Sequence, residues 1–411
     1  MPSAICHYCI DDAFLKAEVL EAADIHRCSE CGLDGFAISV EDLGKRMEPI
    51  LRTLYVPGAD NGGRDEQNGE SLSDIVQDAL GQLLSMHDEI VEAIINEDDY
   101  WPPDGGEPYW DDTYSYAFQT PPVDPADIPD WHGAADELKH GMRFFSKRAK
   151  QLFDSVFDGV DSLEAFEGGA RRLVIDMLPA GTKMYRARTV NSDALLRLVS
   201  DDPAGQVGPP PASAARGGRM NAEGVAVLYA ALDEDTCIAE MRPAIGSDVA
   251  MITLETTRPI RILDFTRLEN TFKENSIFDP EFGVKRHLHI FQRRLHKLIA
   301  RPISPGNEFD YIITQTMAEY LACVHKPAIS GIKFGSAQRE GGVNIVLLPG
   351  NRPPTSSVRK RFGVTYEPDS LKFSRISTVR VEHDTLHLRR LPGGEPALAS
   401  YDEYDDLYEN Y

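Results

Sequence analysis

Five short runs between residues 182 and 348 carry side chains suited to chemistry on a phosphorylated glycoside. They read Met-Tyr-Arg-Ala-Arg (184–188), Gly-Gly-Arg-Met-Asn (217–221), Leu-Tyr-Ala-Ala (228–231), Ile-Ala-Glu-Met-Arg (238–242) and Lys-Phe-Gly-Ser (333–336). Guanidinium forks grip phosphate oxygens bidentately and stay charged at any physiological pH, so Arg186 and Arg219 together would clamp a pyrophosphate. Arg219 follows Gly217-Gly218, which lets the chain close on a ligand; a surface salt bridge is the alternative. Arg188 lies on the same side of a strand as Arg186 and is an equal candidate for the anchor. Tyr229 is either a core ring or a ring stacked on a cationic heterocycle. Glu240 stands among Cys237, Ile238, Ala239 and Met241, apolar company in which a carboxylate needs a partner. A salt bridge to Arg242 or Arg186 is one reading. The other is a carboxylate that steadies an oxocarbenium-like ribosyl centre. Ser336 follows Gly335 at a strand end and is a ligand-orienting hydroxyl or an ordinary turn residue. Gln315 and Glu319, four residues apart on a helix, read as a solvated pair.

Taken in this order, the runs resemble the RES-domain family over roughly residues 180–350. The residues carrying the resemblance are Arg186, Arg219 with Asn221, Tyr229, Glu240 and Ser336. The resemblance implies a fold similar to ADP-ribosyltransferase toxins, a split β-sheet with a cleft for NAD. It also implies NAD glycohydrolysis or phosphorolysis by a toxin restrained by an antitoxin or other regulatory protein. In that scheme Glu240, Arg186 and Ser336 are catalytic, and Arg186, Arg219, Asn221, Tyr229 and Ser336 hold NAD. No Gly-x-Gly-x-x-Gly follows a predicted strand, so NAD is expected as substrate and not as a bound redox cofactor. The N-terminal part resembles the zinc-bearing helical segment that precedes RES in longer members, sometimes grouped with HEPN domains. The Arg-and-His spacing of HEPN ribonucleases is missing from residues 1–180.

Cys6, Cys9, Cys28 and Cys31 form two C-x2-C pairs separated by 18 residues, a spacing that sets four thiolates around one zinc ion. Four thiolates close the coordination sphere, so the expected role is structural. Cys237 and Cys323 fall in apolar helical patterns and read as core thiols.

The elements that must position these groups divide the chain into a four-cysteine zinc knuckle (1–35), an acidic helical domain (36–165), a RES domain (166–395) and an acidic tail (396–411). The fold class expected is α+β, mainly helical first and sheet-based second. Apolar periodicity predicts helices at 38–54, 71–97, 134–156, 161–177, 234–242, 281–300 and 309–324. Strands are predicted at 184–190, 225–230, 249–254 and 344–348, with a terminal hairpin over 372–391 turning at His383-Asp384. Residues 98–132 hold seven prolines and all three tryptophans, and read as a loop docked by its rings or a strip that binds a partner.

The 411 residues carry a net charge of −24. Residues 1–140 hold 7 basic and 31 acidic residues and account for all of it, leaving 35 of each sign in the remainder. So acidic an N-terminal unit repels a phosphate backbone, and no nucleic-acid partner is expected. No apolar run reaches the roughly 18 residues of a membrane span. The opening residues also lack a leader pattern, so the expected compartment is the cytoplasm. Two other functions stay open: ADP-ribosyl transfer to a macromolecule, and a zinc-built interaction module without catalysis.

Overall fold

A computed structural model describes residues 3–22, 24–58, 69–98, 108–111, 113–121, 123–124, 129–272, 275–300, 308–353, 355–379, 387–390 and 396–399. Within these the fold is α+β, with the cysteine cluster at the N-terminus and a large sheet in the second half. No helix among the described residues is long and apolar enough to cross a membrane.

The chain opens with β1 (Ala4–Cys6), α1 (Ala13–Ala22), β2 (Ile25–Arg27) and β3 (Asp34–Ser39), whose strands form one small sheet ordered β1-β3-β2. There follow α2 (Val40–Leu54), β4 (Tyr55–Pro57), β5 (Glu70–Ser71), α3 (Leu72–Leu80), α4 (His87–Asn96) and β6 (Ser115–Phe118). Ser39 caps α2 by accepting from the Asp42 N–H, and Ser71 caps α3 in the same way from Asp74. The predicted helix over 71–97 is two helices, because Gly81 adopts φ 75° and ends the first in a left-handed cap. Trp110 and Tyr116 are buried in the core these helices share, and the Trp110 Nε1–H donates to Glu48 at 3.0 Å. Trp131 is buried in a second core. The aromatic strip therefore docks by its rings; Tyr100 and Trp101 lie outside the described residues.

The single helix predicted over 134–156 is likewise two, α5 (Trp131–His140) and α6 (Lys147–Val156). They are separated at residues 141–146, and Ser146 caps the second. Their apolar faces share a core with residues 263–348, so that core runs across residue 165. The helix predicted over 161–177 is instead three strands, β7 (Glu164–Glu167), β8 (Ala170–Leu173) and β9 (Ile175–Leu178). Gly168 and Gly169 both take positive φ (58° and 77°), which makes the two-residue turn joining β7 to β8. That glycine pair is the signal for a hairpin, and the apolar spacing on either side masks it.

The main sheet draws on β10 (Lys183–Val190), which is followed by α7 (Asp193–Asp201) and α8 (Pro203–Val207), and on β11 (Leu228–Ala231), which leads into α9 (Glu234–Glu240). Beyond them come β12 (Asp248–Thr256), β13 (Ile260–Asp264), α10 (Phe265–Leu268), β14 (Thr271–Phe272), α11 (Phe282–Ala300) and α12 (Ile312–Glu319). The last elements are β15 (Gly331–Gly335), β16 (Val343–Leu347), α13 (Val358–Phe362), β17 (Val364–Tyr366), β18 (Lys372–Arg375), β19 (His387–Arg390) and β20 (Pro396–Ala399). The strand order is β17-β12-β10-β11-β16-β15-β13-β9, with β18 also on β12; the β13–β15 pair is parallel. The interior residues of β12 are buried almost without a break, as a central strand covered on both faces requires. The hairpin expected over 372–391 is not formed. β18 pairs with β12 and β19 with β20, while the expected turn at His383-Asp384 lies outside the described residues.

One junction in this sheet is barely paired. β10 and β12 pair over eight positions, whereas β10 and β11 share a single register pair, Tyr185 with Ala231. The sheet is split there.

Candidate active site in the split of the sheet

Where β10 and β11 part, the Tyr229 carbonyl has lost its cross-strand donor, and a buried carbonyl must find another. Arg186 supplies it: Nη1 donates to Tyr229 O at 2.7 Å, while Nε donates to Val207 O at 2.8 Å and Gly208 O at 3.2 Å. The side chain thus ties β10, β11 and the end of α8 together. Burial lowers its pKa from the usual arginine value, and no carboxylate among the described residues lies within ion-pair distance to offset that cost. Such a cation is primed for an anion.

The split opens into a cavity of about 250 Å³. Its lining includes Tyr185 and Arg186 from β10, Tyr229 from β11, Cys237 and Glu240 from α9, Arg219, and Asn344 from β16. Arg188 is turned elsewhere and donates to Gln206 O at 2.8 Å, so Arg186 is the arginine of the cavity. Burial pushes the Cys237 thiol up to about 12, which leaves it protonated and a poor nucleophile.

Glu240 ends α9, a helix capped by Asp233, whose Oδ1 accepts from the Thr236 N–H at 2.8 Å. The carboxylate meets neither Arg242 nor Arg186. Its Oε1 accepts two hydrogen bonds, from Ser336 Oγ at 2.5 Å and from Asn344 Nδ2 at 2.7 Å. Oε2 accepts none among the described residues. One oxygen is anchored and the other is left to act. Ser336 in turn accepts from the N–H groups of Gln338 and Arg339, and Arg339 reaches back to Asp233 Oδ1 at 2.8 Å. The 336–342 loop is thereby strapped across the start of α9. Asn344 escaped the sequence reading. Its signal was a lone amide inside the apolar strand Val343-Asn344-Ile345-Val346-Leu347, where a 6% exposed polar group must be bonded to something.

The glycine run at 217–218 is held by α12 and by Tyr229. Gln315 Nε2 donates to Gly218 O at 2.8 Å and Thr314 Oγ1 donates to Arg219 O, so Gln315 is a loop anchor and not half of a solvated pair. The Tyr229 hydroxyl donates to Asn221 Oδ1 at 3.0 Å and accepts from the Met220 N–H at 2.8 Å; burial pushes its pKa up to about 12. A Cβ on Gly218 would lie 2.9 Å from Asn221 Oδ1 and 3.0 Å from the Tyr229 hydroxyl, so only glycine passes there. Asn221 does not line the cavity. Its Nδ2 donates to Arg216 O, Ala222 O and Val225 O, and the residue acts as the pin of this loop. Arg219 lines the cavity and its Nη1 also donates to Ile299 O.

Lys333, from the same run as Ser336, is structural. It donates to Asp264, which is fully buried, at 2.7 Å and locks β15 to the end of β13. Helix α11 reaches both halves of the protein. Near its start His287 Nε2 lies 3.1 Å from Pro121 O, and the preceding Phe278 is buried in the N-terminal core. Near its end His296 meets the Gly335 N–H at 3.2 Å, one residue before Ser336.

In the N-terminal unit the four expected sulfurs come together, all within 4.8 Å of one another. Cys6 Sγ lies 3.7 Å from Cys31 Sγ, and Cys28 Sγ 3.9 Å from Cys9 Sγ. Zinc–sulfur bonds of about 2.3 Å in a tetrahedron separate sulfurs by about 3.8 Å, so the residues fit a zinc ion. Burial raises the Cys6 and Cys9 thiols, whereas at Cys28 the N–H groups of Cys31, Cys6 and Glu30 outweigh burial and bring the value down to about 7.

A family model described as "RES domain" matches residues 184–372 and no residue before them. No curated protein matches the chain, and no solved structure does. The match begins at the residue that opens Met-Tyr-Arg and includes every side chain placed in the split. Residues 184–372 of this chain are a RES domain.

Proposed function

We propose that the protein cleaves NAD at the nicotinamide–ribose bond, as a glycohydrolase or phosphorylase, and acts as a toxin or defence effector. A RES domain points in general to an NAD-related, toxin-like role. The observation that carries the finer reading is the anchoring of Glu240. One of its carboxylate oxygens is fixed by Ser336 and Asn344, and the other is left for the cavity that Arg186, Arg219 and Tyr229 line. A carboxylate held in that way favours a developing ribosyl cation as neutral nicotinamide leaves. Arg186 and Arg219 would take the pyrophosphate, Tyr229 would lie against the nicotinamide ring, and Ser336 would orient the carboxylate. Asn221 would act through the loop that presents Arg219. Water or phosphate would then capture the ribosyl carbon. The cysteine cluster would hold a structural zinc, and an antitoxin or other regulatory protein would restrain the activity.

Glu240→Gln tests this assignment. The amide keeps the shape and loses the charge, so turnover should fall by at least about a hundredfold while NAD affinity stays close to that of the wild type. A variant that folds and turns over normally would remove Glu240 from the mechanism. The second reading, ADP-ribosyl transfer, uses the same cavity; label from NAD appearing on a macromolecule would favour it.

A further inference from the structure

The carboxylate of Glu240 is held by a hydroxyl that stands just past the end of β15, so its aim depends on what fixes the chain there. The Ser336 N–H turns toward β16 and donates to Gly342 O at 2.8 Å. Amides alternate sides along a strand, so the Gly335 N–H faces the other neighbour, β13. But β13 ends at Asp264, whose register partner is Lys333, and the chain there turns into α10. Among the described residues no strand remains on that side to accept from Gly335, and a half-buried donor needs an acceptor. His296 of α11 supplies it, with Nε2 3.2 Å from the Gly335 nitrogen. The approach is close. A Cβ on Gly335 would lie 3.2 Å from that Nε2 and 3.3 Å from Cε1, so glycine is what lets the ring reach the backbone.

The other ring nitrogen completes the arrangement. Nδ1 lies 3.0 Å from Glu269 Oε1, and Arg293, one turn earlier on α11, donates from Nε to Glu269 O at 2.9 Å. A ring nitrogen that accepts from an N–H carries no proton, so Nε2 is the bare nitrogen and Nδ1–H donates to the carboxylate. The opposite tautomer would set a lone pair against the carboxylate and two donors face to face. Glu269 closes α10, so the ring is gripped from α10 and α11 together.

We propose that His296 is a positioning residue of the candidate site: as the neutral Nδ1–H tautomer it holds the Gly335 backbone and so sets Ser336 against Glu240. This rests on the role in NAD cleavage given to Glu240 above. His296 does not line the cavity, so it acts through the chain and touches no ligand. Ser336 Oγ reaches Glu240 Oε1 at 2.5 Å, and a loop displaced by about 1 Å would carry the hydroxyl out of bonding range. His296→Asn keeps a donor for Glu269 but is too short to reach Gly335. His296→Gln places an amide oxygen where Nε2 lies and restores the acceptor.

Nicotinamide release from NAD by the full chain should show kcat about five- to tenfold lower in His296→Asn with KM within about twofold, and kcat recovered to within about twofold in His296→Gln. In a Ser336→Ala background His296→Asn should change kcat by less than about twofold, because the hydroxyl it sets is gone. A merely structural role would cost the same factor in both backgrounds, and that result would overturn the proposal, as would unchanged kcat in His296→Asn. A readout apart from catalysis is long-range 1H–15N NMR of the wild type carrying imidazole-15N histidine, with the His296 signals identified by their loss in His296→Gln. The expected state at pH about 8 is neutral with the proton on Nδ1; a proton on Nε2 would also overturn the proposal, whether or not the variants fold. NAD left intact by the wild type would instead remove the cleavage reading, and the tautomer would then decide alone whether His296 holds Gly335.

Discussion

Replacing Asn344 by leucine separates a positioning role from a structural one. The amide is buried in β16 and donates to Glu240 Oε1 at 2.7 Å. Leucine fills the space and leaves no unpaired donor, and Glu240 is exposed enough to be rehydrated, so the melting temperature should move little. What is lost is the second anchor on one carboxylate oxygen. A hydrogen bond to a charged group contributes about 1.5–3 kcal/mol, which converts to about 10- to 150-fold in rate if the whole of it is realised in the transition state. Ser336 still holds the same oxygen at 2.5 Å, so the loss should fall at the lower end, about tenfold in kcat with KM for NAD little changed.

Ser336→Ala should behave alike. The double variant should lose more than the product of the two single losses, because in each single variant the remaining donor still holds the oxygen and in the double variant none does. Nicotinamide release followed by chromatography at saturating and limiting NAD reads both constants. Unchanged kcat in a folded Asn344→Leu protein, or losses that multiply cleanly, would refute the argument that both donors act by fixing one oxygen.

Three other outcomes are expected. Purified protein should carry one zinc per chain, and a chelator or Cys28→Ser should lower the melting temperature, because metal binding and folding of such a cluster are one equilibrium; metal-free protein melting identically would contradict the site. Lys333→Met should cost about 2–3 kcal/mol in denaturant unfolding, since it strips a buried carboxylate of its nearest cation while Arg267 and Thr266 still face Asp264. Asp98 supplies a pH test. Burial alone would raise its carboxyl, but Arg52 and the N–H groups of Tyr109 and Trp110 outweigh burial and hold it below the ordinary aspartate value. Its stabilisation is therefore complete above the unfolded value of about 3.9 and disappears as pH falls through the lower native value. Asp98→Asn should flatten the acid limb of the stability curve in that window.

The residues of the candidate site are legible in sequence because each breaks its local pattern: arginine in a strand, glutamate on an apolar stretch of helix, and, holding that glutamate, serine after a glycine. The identity of their partners is not legible. Local spacing offers Glu240 an arginine, Arg242 or Arg186, yet its partners come from β16 and the loop before it, some hundred residues on. Asn221 reads as a ligand contact, but three carbonyls of its own loop claim its amide, a local competition that residue type cannot reveal. The α+β class and the cysteine cluster follow from composition shift and spacing. The strands at 164–178 do not, because their apolar residues fall at helical intervals and only Gly168-Gly169 announces the turn. The split between β10 and β11 is a matter of pairing, and pairing partners are set by the whole sheet.

The most direct test of the account is a product analysis. Full-length protein is incubated with NAD, with and without inorganic phosphate, and the products are identified by mass spectrometry. The account predicts free nicotinamide together with ADP-ribose, or with its phosphorylated form when phosphate is the acceptor, and neither from Glu240→Gln. Intact NAD under all conditions, or ADP-ribose found only on a macromolecule, would contradict it.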